Sequence, residues 1–304
     1  MIASGNKKDG VSPIVQAQVH SLRNEGVDVV VFPVAGKGII GYFKALLRLF
    51  SFIKKQKPNI VHAHYSLCGY MATLTTRKPT VVSIMGSFPT NNFKKKLVKW
   101  CIRNCWDTTI VKSERTAIQL NEQGLHIIPN GVDFEVFKSF NKEEARKVCG
   151  FSEDKKYVIF VSNPNRPEKQ YGLAEKAISS LNNKNVELIP VYNIPHEKVA
   201  HYMVAADVLL LTSIQEGSPN VIKEAMACNC PIVSTDVGDV RWVMDGVEGC
   251  YAADTFEADE ISELLKKALD FNKETKGQER LSAIGLDSKI VANKLIDIYK
   301  RLLK

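Results

Sequence analysis

No run among the 304 residues approaches the roughly 18 consecutive apolar positions that a membrane-spanning helix needs. The opening, MIASGNKKDG, has no apolar stretch of signal-peptide type, so a cytoplasmic chain is expected. Cysteine is present seven times, at 68, 101, 105, 149, 228, 230 and 250, but never as a C-x-x-C pair. An odd count without a framework excludes a disulfide scaffold and argues against zinc, and it fits reduced thiols. Repeats and low-complexity segments are absent. Acidic residues are scarce in the first half: residues 1–133 hold 18 Lys and Arg against 7 Asp and Glu, a net +11. Residues 134–304 hold 23 against 26, a net −3, and the two sum to the formal +8. Such asymmetry implies different partners for the two halves. For the basic half these are an anionic membrane surface, an acidic substrate or nucleic acid. No nucleic-acid module or aromatic stacking set accompanies the charge, so nucleic acid is the weakest reading.

What is present describes a globular protein, with 45% hydrophobic and 24% charged residues in a chain long enough for two cores. Strand-like runs at 27–32, 59–64, 80–85, 108–112 and 126–128 alternate with helical patterns at 12–25, 41–57, 67–76, 91–105 and 113–124. Only residues 2–4 remain of an expected first strand, whose larger part is read as missing. After a turn at Pro129-Asn-Gly131 and a polar helix at 143–148, a second alternation starts at 157–161. It runs through strands at 186–191, 207–212 and 231–235 and helices at 173–181 and 196–205, then ends in helices at 259–270 and 288–303. Strands and helices alternating at short connections predict doubly wound, mostly parallel sheets. Two Rossmann-like domains are expected, 1–135 and 136–285. A last segment, 286–304, should pack back on the first through Ile290, Leu295 and Tyr299.

The chemistry concentrates at residues 213–240. Glu216 and Glu224 stand between two strands with seven residues, and a helix start, between them. Ser218 reads as the N-cap and Pro219 as the first helical residue, which would aim the N–H groups of Asn220 and Val221 outward. A helix start between strands, flanked by carboxylates, suits a phosphorylated ligand rich in hydroxyls. Gly238 would let backbone approach that ligand closely. Asp239 and Arg241 read as loop-surface residues.

The segment Glu216-Gly-Ser-Pro-Asn-Val-Ile-Lys-Glu-Ala-Met-Ala227 resembles the group 1 retaining glycosyltransferases of GT-B fold. The likeness extends to Ile128-Pro-Asn-Gly-Val-Asp133, Arg166-Pro-Glu-Lys169, Ala205-Ala-Asp-Val208 and Asn59-Ile-Val-His-Ala-His64, and so covers nearly the whole chain. It implies two Rossmann-like domains facing across a cleft. It also implies transfer of a sugar from a nucleotide sugar, UDP- or GDP-linked, to a glycan or lipid-linked acceptor with retention. Glu216 would then touch the donor sugar and Glu224 the ribose hydroxyls, with no catalytic metal; no Asp-x-Asp pair is present to hold one. Without a metal, the leaving diphosphate needs Arg166, Lys169 and the helix start at 218–221 as its positive field.

The chain also departs from that pattern. Ser218 and Pro219 replace a Phe-Gly common there, Asn229 replaces a glycine, Pro164 stands where a basic residue is usual, and Met85 replaces a histidine. On the acceptor side, Gly10 closes a glycine-bounded loop, 5–10, read as a clamp or a loop tip. His62 and His64 are assigned to opposite faces of their strand, with His64 toward the cleft. Helix 93–106 is read as docking Phe93, Leu97, Val98, Cys101, Ile102 and Cys105 on the sheet and turning a lysine-rich face outward, to solvent or to an anionic membrane. A sugar-nucleotide epimerase and a catalytically silent sugar-nucleotide-binding protein are the alternatives.

Overall fold

The computed structural model describes residues 1–5, 10–36, 38–85 and 92–304, with backbone alone at 38–40 and 42. The chain divides into two compact units, residues 1–131 with 288–304, and residues 132–287.

In the first unit the order is β1 (Ile2–Ser4), α1 (Pro13–Asn24), β2 (Phe32–Val34), α2 (Gly38–Gln56), β3 (Val61–His64), α3 (Ser66–Thr75), β4 (Thr80–Ile84), α4 (Asn92–Asn104), β5 (Thr108–Val111), α5 (Glu114–Leu120) and β6 (Leu125–Ile127). All six strands are parallel, in the order β2-β1-β3-β4-β5-β6. The strand expected at 27–32 starts later and is shorter. Its ladder partner β1 spans three residues, so only Phe32, Pro33 and Val34 pair with Ile2, Ala3 and Ser4. Pro33 is tolerated there because β2 is an edge strand, where a missing N–H breaks no second ladder. Ser113 caps α5 as expected, its hydroxyl accepting from the Thr116 N–H.

The second unit runs α6 (Lys142–Cys149), β7 (Lys156–Phe160), a 3₁₀ turn (Pro167–Lys169), α7 (Tyr171–Ser180), β8 (Val186–Pro190), α8 (His196–Ala205), β9 (Val208–Leu211), α9 (Asn220–Ala227), β10 (Ile232–Thr235), α10 (Val240–Met244), β11 (Cys250–Ala253), α11 (Ala258–Phe271) and α12 (Gly277–Ala283). Its sheet order is β11-β10-β9-β7-β8, again all parallel. Helices cover both faces, so the strands read as continuous apolar runs rather than alternating ones. Val208, Leu209, Leu210 and Leu211 of β9 are all buried, each worth about 1.5–3 kcal/mol of burial. Asn229, where a glycine is common, adopts the left-handed conformation at φ +55°. Its side chain also accepts from the Gln278 N–H at 3.0 Å, fixing the start of α12.

The final helix, α13 (Ser288–Leu302), belongs to the first unit and packs along α1. Its buried stripe is Val291, Leu295 and Ile298, at i, i+4 and i+7. Ile290, expected in that contact, is 41% exposed because it lies off the stripe.

Candidate functional site

In the second unit the chain leaves β7 toward one edge of the sheet and β9 toward the other. The carboxyl ends of these neighbours are therefore the topological switch point, where ligands of such sheets bind. Residues 161–170 follow β7 and residues 212–219 follow β9, and hydrogen bonds sew these loops together. The Thr212 hydroxyl donates to the carbonyls of Lys169 and Gln170 at 2.9 and 3.0 Å. The Ile214 N–H donates to Glu168 O at 3.0 Å. The Thr235 hydroxyl, from the next strand, donates to Ser213 O at 2.6 Å.

This sewing brings Lys169 to Glu216, whose carboxylate accepts from the ammonium, with both side chains less than one-fifth exposed. Arg166 is placed differently. It is more than half exposed and its Nε donates to Glu168 at 2.8 Å, so the ion pair it makes is local. Glu224, on α9, pairs with His196 Nε2 at 3.0 Å. His196 opens α8, with its ring edge-on to Phe137. The hydrogen bond to Glu224 raises the imidazole pKa above its ordinary value against the opposing effect of burial.

The helix start departs from expectation by one residue. Pro219 takes the cap position, Asn220 begins α9, and no side chain caps it. The Ser218 hydroxyl instead accepts from Lys223 Nζ at 3.0 Å. A charge-assisted hydrogen bond to a buried ammonium outcompetes one to a backbone amide. Lys223 is fully buried, and burial lowers its pKa to about 8 against the attraction of Asp239 and Glu224. Asp239, expected at the loop surface, has its carboxyl pKa raised by burial, opposed by Lys223 and Ser218. Arg241 is half exposed and pairs with Asp236 at 3.0 Å. Gly238 has φ +61°, and a Cβ there would lie 2.6 Å from Gly217 O. The close approach this glycine permits in the structure is thus to the Glu216–Gly217 backbone.

Sequence reasoning missed Thr212, His196 and Lys223. A signal for Lys223 did exist. Lysine in the run Val-Ile-Lys-Glu-Ala-Met-Ala sits in a short, mostly apolar helix between two buried strands, where a charge needs partners.

In the first unit His62 and His64 share one face of β3, because residues two apart on a strand point the same way. Their rings stack 4.7 Å apart, which corrects the opposite-face reading. Both are buried, and burial drives both pKa values well below the ordinary range, so both are neutral. His62 bonds Tyr299 OH of α13 at 2.5 Å and Ser83 Oγ at 2.8 Å. His64 contacts the sulfurs of Met85 and Met1 at 3.0 and 3.2 Å. Met85 therefore touches His64 rather than leaving it open. Gly10, at φ +88°, lines a cavity of about 370 Å³ with Val11, Gln16, His20 and Arg23. The rest of its loop, 6–9, and the glycine at 86 lie outside the described residues.

A cavity of about 410 Å³ lies at the opposite, amino end of the second sheet, away from both glutamates. Asp207 is buried there, accepting from the Tyr157 N–H at 2.8 Å and Arg146 at 2.9 Å, with Lys142 at 3.1 Å. This cluster ties α6 to the strand starts.

Two Rossmann-like parallel-sheet units define a GT-B fold, and solved structures of that architecture match throughout. Sucrose-phosphate synthase from Thermosynechococcus elongatus aligns with TM-score 0.78 at 16% identity, covering 99% of this chain and 98% of that one. Anabaena Alr3699/HepE in complex with UDP-glucose aligns with TM-score 0.76 at 14% identity, covering 99% and 98%. The chain belongs to the group 1 glycosyltransferases: the family model "Glycosyl transferases group 1" matches residues 144–270 and "Glycosyltransferase Family 4" matches residues 9–136. Among curated relatives, the provisional teichuronic acid biosynthesis glycosyltransferase TuaC of Bacillus subtilis is 27% identical over 214 residues, 60% of this chain. The chain spans 54% of that relative's length.

Proposed function

We propose that the chain is a retaining glycosyltransferase that moves a sugar from a nucleoside-diphosphate sugar to a glycan or lipid-linked acceptor without a metal ion. The observation that carries this reading is the placement of Glu216 with Lys169, and of Glu224 with His196, around the start of α9 at the switch point of the second sheet. Breaking a sugar–diphosphate bond leaves an electron-poor sugar and a diphosphate that gains charge. Glu216 faces the sugar and stabilises the positive charge that develops on it. Lys169 and the first turn of α9, with its roughly half-charge dipole, receive the diphosphate in place of a metal. Glu224 accepts from the two ribose hydroxyls, its carboxylate oriented by His196. Lys223 positions the loop that carries Glu216 by holding Ser218. Retention follows the family likeness. The acceptor class follows relatives such as TuaC, whose name places it in teichuronic acid biosynthesis. Work in the cytoplasm fits a nucleotide-sugar donor.

The test is a thermal-shift panel of UDP-, GDP- and ADP-sugars, followed by product analysis. A UDP-sugar is the first choice, because HepE is described with UDP-glucose. Ligand at 100 times Kd should stabilise the protein by about 2.7 kcal/mol. Nuclear magnetic resonance should then show the donor's anomeric configuration kept in the product. Stabilisation by none of the three, an inverted product, or a new sugar nucleotide in place of transfer would each overturn the reading.

A further inference from the structure

The helices on one face of the first unit's sheet carry more apolar surface than their core contacts use. The connections β2→β3, β3→β4 and β4→β5 all move in the same direction across a parallel sheet, so right-handed crossovers put α2, α3 and α4 on one face. The β1→β2 connection runs the other way and puts α1, with α13, on the opposite face. Within the α2–α4 layer, Ala45 and Leu49 of α2 and Val98 and Cys101 of α4 are buried against the sheet. Each of these two helices also carries a second stripe, turned outward.

The two stripes follow the same pattern, aromatic–leucine–aromatic at i, i+4 and i+7. On α2 they are Phe43, Leu47 and Phe50, exposed by 61, 59 and 57%. On α4 they are Phe93, Leu97 and Trp100, exposed by 75, 37 and 56%. Phe93 and Leu97, expected against the sheet, thus point away from it. The α3 helix between them adds Leu74, likewise exposed. Lys44 and Arg48 alternate with the stripe on α2, and Lys94 and Lys96 with that on α4. Lys99 and Arg103 lean instead on Glu122, at 3.6 and 2.6 Å.

The charge of this layer is one-sided. From residue 29 to residue 106, between Asp28 and Asp107, the sequence holds thirteen Lys and Arg and neither Asp nor Glu. That span contains all of α2, α3 and α4. A protein partner of ordinary composition would not need every carboxylate removed from the surface, whereas a uniformly anionic plane would. Aromatic and leucine side chains flanked by lysines match a lipid interface, where rings sit at headgroup depth and ammonium groups reach phosphate. None of the described helices is long and apolar enough to cross a membrane, so this contact is interfacial.

We infer that the α2–α4 face is a docking surface for an anionic lipid bilayer, held by two aromatic–leucine–aromatic stripes and the cations between them. The inference does not rest on the donor-site reading, since vesicle binding needs no nucleotide, and either can fail alone.

The experiment is co-flotation of the full chain with phosphatidylcholine vesicles and with vesicles containing phosphatidylglycerol. Binding to the anionic vesicles should be at least about tenfold stronger, weaken in high salt and shift Trp100 emission to the blue. The surface variants F43S/F50S and F93S/W100S should each lower binding about tenfold while retaining the wild-type circular dichroism and response to nucleotide sugar. Several results would overturn the assignment: equal and negligible binding to both vesicle types, binding unchanged in both variants, or a solution dimer that the same variants dissociate, which would give the face to a second copy. Polyanion binding that ignores the aromatic substitutions would overturn it too.

Discussion

Substituting Lys223 by Met gives a prediction whose sign reverses with pH. The ammonium is fully buried and its pKa falls from the ordinary 10.5 to about 8, although Asp239 and Glu224 both attract it. At about 1.4 kcal/mol per tenfold change in proton affinity, the charged form costs the fold roughly 3 kcal/mol. The unfolded chain binds this proton more tightly than the folded chain does. The cost is therefore fully present below pH 8, shrinks as pH rises toward 10.5, and is gone above it. Methionine removes that cost but also the hydrogen bond to Ser218, worth about 1.5–3 kcal/mol for a charged donor. At pH 7 the Met variant should therefore be as stable as wild type or more so, by up to about 1–2 kcal/mol. By pH 10.5 wild type should have gained about 3 kcal/mol relative to the variant, and the order should invert. Urea unfolding followed by circular dichroism from pH 7 to 10.5 measures this, because groups that titrate alike in both proteins cancel in the difference. A difference that stays constant with pH would refute the argument. Turnover should fall in the variant even where stability rises, because Ser218 and the loop bearing Glu216 lose their anchor.

Three other substitutions test the remaining parts. Glu216→Gln should lower turnover by about 10²–10³-fold while donor affinity by calorimetry stays within about threefold; near wild-type rates would remove its role. Glu224→Ala should weaken donor binding by about 10–100-fold, the value of one or two hydrogen bonds to a charged group, with saturated turnover little changed. Asp207→Asn leaves Arg146 buried beside a neutral amide and should cost about 3–5 kcal/mol in thermal unfolding, with donor affinity retained. A loss below about 1 kcal/mol would mean that this buried cluster does not hold the strand starts together.

Much of this fold was legible because parallel α/β units leave periodic traces. The strands of the second unit are apolar on both faces and the helices between them repeat near 3.6, so nearly every one was placed within two residues. The short elements were not. Strand β11, helix α10 and helix α12 are too brief to show a period, and β11 pairs only with β10. The carboxylates of the site were readable from their spacing. Their partners were not, because Lys169 to Glu216 and His196 to Glu224 are contacts across 47 and 28 residues that only the folded sheet creates. The histidine error was one of period: two residues along a strand restore the same face, and both rings stack in the core. On α4, composition revealed the basic face but could not say which of two apolar stripes met the sheet.

The stitching of residues 161–170 to residues 212–219 has a consequence for selectivity. Threonine hydroxyls and one backbone amide join the ends of neighbouring strands, so that Lys169 and Glu216 stand on a rim continuous with the ladder beneath it. The amide of Ile214 should then resist exchange with solvent almost as well as a strand amide, unusual for a loop residue. A rim this stiff cannot shift to accommodate an inverted or additional hydroxyl. Epimeric donors should therefore differ in affinity at this site by shape alone, and a change of sugar preference would require new loop sequences on both strands together.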